Sequence, residues 1–308
     1  VTLLDALATS PTFFILASLV LGLLVGSFLN VVIYRVPVML EREWREQCSQ
    51  LGPETAASEP AAGSTAPPPA ARFNLIVPRS TCPRCKAPIT ALQNVPVISY
   101  LFLRGRCASC GAPISARYPL IEALTGVLSA LVAWKFGYGS SALAALVLTW
   151  FLIALTFIDV DTQLLPDSLT LPLVWLGLGT SAFLATNPAA SLPVPLYDSV
   201  VGAMAGYLSL WSVYQLFKLL TGKEGMGYGD FKLLGAIGAF LGWRMLLPTV
   251  LGAAAVGAVV GTVIVSLKGR GRGVPIAFGP FLSASGWIML MWGRELLAGY
   301  LGLFGLHA

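Results

Sequence analysis

The sequence predicts an all-α polytopic membrane protein of about eight transmembrane helices, with a small cytoplasmic tetracysteine zinc module inserted after the first helix. Three observations predict it. First, only 11% of the 308 residues are charged and 56% are hydrophobic, with a mean hydropathy of +0.79; a soluble domain carries about 25% charged residues. Second, eight apolar stretches approach the ~20 residues that cross a bilayer: 12–34, 119–136, 141–158, 168–186, 198–217, 230–247, 249–267 and 275–292. Third, the basic residues are one-sided. With the N-terminus outside, residues 35–118, 159–167, 218–232 and 268–273 face the cytoplasm and hold 10, 0, 3 and 3 Lys/Arg, which is 16 of the 19 in the chain. That is the positive-inside pattern, and it accounts for the net charge of +5 with no nucleic-acid partner.

The elements divide as 1–35, the first transmembrane helix; 36–72, a cytoplasmic segment; 73–118, a zinc-binding module; and 119–308, the remaining membrane domain. The first apolar stretch lacks a basic n-region and a small-residue cleavage site, so it is expected to be a retained span rather than a signal peptide. Glu41 to Glu46 alternates charge in a helix-compatible way. Residues 52–71, GPETAASEPAAGSTAPPPAA, have no apolar periodicity and are expected to be a disordered linker.

Cys82, Cys85, Cys107 and Cys110 follow, spaced C-x2-C-x21-C-x2-C. Two tight knuckles of this kind present four sulfurs to one ion, and thiolates select zinc or an iron–sulfur cluster. The pairs echo each other, CPRCKAPIT and CASCGAPIS. Structural zinc is the expected occupant, because a closed four-sulfur set leaves no open position; redox use of the cysteines is the competing reading. Cys48 stands apart as a spare thiol, and the single histidine, His307, leaves no histidine base or histidine metal centre.

Two aspartates stand at the cytoplasmic edges of apolar segments, Asp159 in IDVDTQLLPD and Asp230 in GMGYGDFKLLG. A carboxylate at a membrane boundary is costly and marks a functional position. On a helix Asp159 and Asp161 would point about 200° apart, and Asp159 and Asp167 would be about 12 Å apart along the axis. Pro166 also disfavours helix at Leu165. A partner for Asp159 must therefore come from another span, and Asp230 is the candidate. The glycines of Gly225-Met226-Gly227-Tyr228-Gly229 are expected to allow positive φ or close approach. The plainer readings are helix capping for Asp230 and Asp167 and a solvated loop charge for Asp161. Two carboxylates about 3 Å apart share one proton, so one acts as acid and the other as base. That chemistry suits peptide hydrolysis by water. No Ser, Thr or Lys lies in a nucleophile motif.

Four blocks carry a resemblance to a family: GSFLNVVIYRVP (26–37), the CPRC/CASC module ending in ISARYPLIEALTG (114–126), IDVDTQLLPD (158–167) and GMGYGDFKLLG (225–235). The chain resembles the bacterial type IV prepilin peptidases, intramembrane aspartic proteases of the GxGD type. The resemblance implies that Asp159 and Asp230 are catalytic, with Asp161, Asp167, Gly227, Gly229 and Lys232 in supporting positions. It implies prepilin and type II secretion pseudopilin substrates at the bacterial inner membrane, with the site facing the cytoplasm. The tetracysteine module matches the zinc-binding domain of the bifunctional members. Those members also methylate the new N-terminal residue using S-adenosylmethionine. No glycine-rich nucleotide motif is present, so methylation rests on the resemblance. Residues 38–72 are longer than the family pattern. Glu122 stands at the module–membrane junction, where a salt bridge to Arg117, a snorkelling surface role and catalysis are its readings.

Two rivals follow from the same residues. A proton-coupled transporter would use Asp159 and Asp230 as ion sites, but near the bilayer centre. A zinc-bearing membrane scaffold would tolerate Asn at both positions. A prepilin peptidase without methyltransferase activity is the nearer alternative.

Overall fold

The computed structural model describes residues 2–50, 73–90, 92–184, 192, 194–268 and 277–303. The linker expected over 52–71 and His307 lie outside them. Among the described residues there is helix and no strand, save two isolated bridges in the module.

A short α1 (Leu3–Thr9) is closed by a capping box, in which Thr2 and Asp5 satisfy each other's backbone N–H groups. The long helices are α2 (Pro11–Gln50), α4 (Arg117–Phe136), α5 (Ser140–Thr162), α6 (Asp167–Leu184), α7 (Leu196–Thr221), α8 (Tyr228–Leu241), α9 (Leu246–Lys268) and α10 (Gly279–Leu303), with α3 (Ile98–Phe102) in the module. Eight long helices thus stand where eight spans were expected. Six are long and apolar enough to cross a membrane by length and composition. The protein is a multi-pass membrane protein.

Two boundaries differ from the sequence reading. The first span does not stop near residue 34: α2 continues through the charged stretch to Gln50 as one helix, with Glu41 and Arg45 paired one turn apart at 2.6 Å. The stretch 230–247 breaks at Gly242, whose φ of +80° only glycine adopts cheaply. That leaves α8 at 14 residues, about 21 Å and short of a 30 Å hydrocarbon layer. The last helix, α10, runs on past Arg294 and Glu295 to Leu303.

Helix pairs approach through small residues, as in membrane bundles generally. On α2, Gly22 and Gly26 face α4, where an added Cβ would lie 2.7 Å from Thr125 O and from Glu122 Cα. On α7, Gly202 and Gly206 face α8 backbone to backbone, at Gly238 and Leu234. Helix α8 is buried from Asp230 to Phe240 except at Lys232, packed by α6, α7 and α10; a helix whose faces are nearly all buried belongs at the centre. Two buried hydroxyls bond across helix pairs: Ser199 Oγ donates to Ala239 O at 2.5 Å, and Thr149 Oγ1 accepts from Trp287 Nε1 at 3.2 Å, whereas buried Ser283 Oγ has no hydrogen-bond partner among the described residues.

Helices alternate in direction, so the ends of α2, α5, α7 and α9 and the starts of α4, α6, α8 and α10 gather at the module end. Tyr228, opening α8, packs beside Tyr214 of α7 with ring centroids 5.3 Å apart. Helix α7 then runs on to Thr221, about two turns or 10 Å farther. The start of α8 is therefore recessed below the end of α7.

Candidate active site

Asp159 lies in the last turn of α5, which closes on Gln163 in the left-handed region at φ +55°. Asp230 lies in the first turn of α8, three residues past the N-cap Gly227. Both are buried, at 5% and 7% exposure. They line one cavity of about 430 Å³ at the module end, together with Gln163, Leu165, Glu224, Gly227, Gly229 and Phe278. The two carboxylates expected to meet from separate spans are thus brought to one cavity.

Each is held differently. Asp159 Oδ2 accepts the backbone N–H of Gly279 at 3.0 Å. Gly279 is the first residue of α10, so the positive end of that helix faces the carboxylate. Asp230 N–H donates to Gly227 O at 3.3 Å, but Asp230 Oδ1 is buried without a hydrogen-bond partner among the described residues. A buried acceptor left unpaired costs about 1–3 kcal/mol or more, which water or a substrate group in the cavity would recover. Leu165 joins the two halves: its side chain contacts both Gly229, beside Asp230, and Gly279, beside Asp159.

Gly225 and Gly229 act by size rather than by dihedral angle. Gly227 has φ −77°, and neither Gly225 nor Gly229 has a positive φ. A Cβ on Gly229 would fall on Leu165, and one on Gly225 would lie 2.8 Å from the Phe217 ring.

The flanking acids form ion pairs. Asp161 takes a bidentate bond from Arg117 at 2.8 and 2.6 Å, tying the end of α5 to the start of α4. Asp167 opens α6 and receives Lys232 Nζ of α8 at 2.5 Å. Arg117 therefore serves Asp161 and not Glu122, which removes the salt bridge from the readings of Glu122. Glu122 is buried and accepts the Val97 N–H at 2.8 Å. At the cavity mouth Lys218 Nζ lies 2.8 Å from Glu224, and that contact holds the Glu224 carboxyl below its ordinary range.

Sequence reasoning missed Gly279, Leu165 and Glu224. The Phe-Gly-Pro that opens the last apolar stretch was the available signal for Gly279, since Gly-Pro marks a helix start that a close neighbour can approach.

The four cysteine sulfurs lie within 4.8 Å of one another, with Cys82 and Cys110 Sγ 3.8 Å apart. A tetrahedron with Zn–S of ~2.3 Å has edges of about 3.8 Å, so the set fits a single tetrahedral ion. The two knuckles superpose by sequence offset. Cys82 N–H donates to Ala87 O at 3.0 Å and Cys107 N–H to Ala112 O at 2.8 Å; Lys86 and Gly111 occupy the same left-handed position, at φ +58° and +68°. The amides of Cys85 and Arg84 lower the Cys82 thiol to about 6. The Ala112 amide lowers the Cys110 thiol, but desolvation and the neighbouring thiols outweigh it and push that thiol up to about 11. Cys48 is exposed and apart.

Known proteins share this sequence over most of its length. The Bacterial Peptidase A24 N-terminal domain matches residues 20–136, and the Type IV leader peptidase family matches residues 146–262. The chain is 51% identical to the prepilin leader peptidase/N-methyltransferase of Stutzerimonas stutzeri, over 97% of this chain and 98% of that protein. It is 49% identical to that of Pseudomonas aeruginosa strain PAO1, over 98% and 99%, and 54% identical to that of Aeromonas hydrophila, over 92% of each. No solved structure matches significantly. With half of its residues shared along nearly its whole length, and both family domains in order, this chain belongs to the type IV leader peptidase family.

Proposed function

We propose that this protein cuts the leader from type IV prepilins and type II secretion pseudopilins, using Asp159 and Asp230, at the cytoplasmic face of the bacterial inner membrane. The observation that carries the reading is the pair of buried aspartates on one cavity, one already oriented by a helix N-terminus and the other with an unpaired oxygen. Asp159, fixed by the Gly279 amide, holds its carboxylate toward the cavity. Water enters between the two groups; one carboxylate takes its proton while the other, protonated, hydrogen-bonds the scissile carbonyl. The proton then passes to the leaving amine, and no covalent intermediate forms.

The neighbouring residues take supporting roles. Gly229 lets α8 start close against Leu165 and Gly227 is the N-cap of that helix, while Asp161 with Arg117 and Asp167 with Lys232 pin the helix ends that carry the two aspartates. Cys82, Cys85, Cys107 and Cys110 would hold a structural zinc ion, which supplies a rigid junction between the two knuckles. Methylation of the new N-terminal residue, with S-adenosylmethionine as co-substrate, is supported by the names of the relatives and by the tetracysteine module.

The test is cleavage of a purified prepilin by wild type, Asp159→Asn and Asp230→Asn, read by mass spectrometry. The expected result is loss of cleavage in both variants with metal content and thermal unfolding retained. Cleavage surviving in either variant overturns the dyad. Addition of one methyl group to the mature N-terminus with S-adenosylmethionine supports the second activity, and its absence reduces the protein to a peptidase.

A further inference from the structure

The tetracysteine module carries two features that neither the metal set nor the carboxylate cavity uses. One is the face of α3. Ile98, Leu101 and Phe102 follow i, i+3, i+4 spacing and share one side of the helix, where they are 52%, 67% and 85% exposed. The opposite side is packed: Ser99 is buried, and the Tyr100 ring lies against Gly105, where a Cβ would come within 2.9 Å of its hydroxyl. The other feature is charge. Residues 73–118 contain six cations and no Asp or Glu. Arg117 is paired with Asp161, and the other five, Arg79, Arg84, Lys86, Arg104 and Arg106, are exposed.

The depth of α3 identifies what covers its apolar face. Val97, immediately before it, sits at φ +57°, a strained value for a β-branched residue. Its N–H is held by Glu122, and Glu122 lies about 7.5 Å beyond the first residue of α4. Helix side chains lean back toward the N-terminus, so Val97 stands level with the first turn of α4. That helix has 20 residues, about 30 Å, the thickness of the hydrocarbon layer with nothing to spare. Its first turn is therefore at the membrane boundary, where Tyr118 and Leu120 are also exposed.

We propose that α3 is an interfacial anchor: Ile98, Leu101 and Phe102 enter the boundary between headgroups and acyl chains, and the acid-free module rests its cations on anionic headgroups. The occupant is the bilayer that surrounds the helices, joined without a break to the lipid-facing side of α4. An amphipathic element with an apolar face and basic surroundings lies in the interface plane in this way.

The test uses full-length, zinc-loaded protein in nanodiscs of phosphatidylcholine and phosphatidylglycerol, with Phe102→trifluoromethylphenylalanine read by fluorine NMR. A nitroxide carried on the upper acyl chain should broaden the signal several-fold more than a water-soluble gadolinium chelate does. Replacing the phosphatidylglycerol by phosphatidylcholine should reduce the nitroxide effect. Stronger broadening by gadolinium would place Phe102 in water, and protection from both reagents would place it under protein; either result overturns the anchor. An unchanged nitroxide effect without anionic lipid overturns the charge contact.

Discussion

The backbone N–H of Gly279 and Oδ2 of Asp159 are 3.0 Å apart, joining the first residue of α10 to the last turn of α5. A Cβ at position 279 would lie 2.5 Å from the same oxygen, closer than side chains tolerate. Gly279→Ala should therefore displace the carboxylate while leaving the helices in place. A misplacement of about 1 Å costs about 100-fold in rate, so kcat for prepilin cleavage should fall by about that factor. Steady-state kinetics beside a thermal unfolding curve checks this; full activity in Gly279→Ala would show that the contact is not needed.

The Asp167–Lys232 pair is partly exposed, and such pairs contribute about 0.2–1 kcal/mol. A double-mutant cycle of Asp167→Asn and Lys232→Met on cleavage rate should give a coupling below about 1 kcal/mol. Either variant should retain cleavage within several-fold of wild type, unlike Asp159→Asn or Asp230→Asn.

The cysteine set predicts the proton count of metal uptake. Cys82, lowered to about 6, is mostly thiolate at neutral pH, whereas Cys110, pushed up to about 11, must lose its proton to the metal. Zinc uptake by the metal-free protein at neutral pH should release at most about three protons rather than four. Calorimetry in buffers of different ionisation enthalpy measures that number. Protons compete for the thiolates, so affinity should weaken as pH falls, with Cys82 joining the competition only as pH passes downward through about 6.

Backbone contact between α7 and α8 predicts a contrast between two glycines. At Gly202 an added Cβ would fall on the carbonyl of Gly238, whereas Gly179 has nothing within 4 Å. Gly202→Ala should destabilise by about 1–3 kcal/mol and reduce cleavage, because α8 carries Asp230. Gly179→Ala should be neutral or gain up to about 1 kcal/mol from helix propensity. Thermal unfolding of the two purified variants decides it.

The spans, the cysteine set and both candidate aspartates were legible because each rests on local signals: apolar length, paired Cys-x2-Cys and acids at span edges. What escaped notice depends on distant segments meeting. Gly279 matters only because α10 ends up against α5, and Arg117 chooses Asp161 over Glu122 because Glu122 turns toward Val97. Of the two uses expected of the glycines of 225–229, unusual φ and close approach, Gly225 and Gly229 show the second, and its partners depend on where Phe217 and Leu165 lie. The extension of α2 to Gln50 escaped because a membrane-length window stops where charge begins, while helix propensity does not.

The overhang of α7 past the start of α8 sets how far a substrate chain must travel. From the rim at Thr221 to the level of Tyr228 is about 10 Å. A helix covers that drop in about seven residues, but an extended chain needs only about three. A peptide that stays coiled keeps its carbonyls bonded to itself. On the proposed mechanism, one that uncoils over those three residues frees them for Asp159 and Asp230, and the well then measures the length of chain that must straighten before it can be cut.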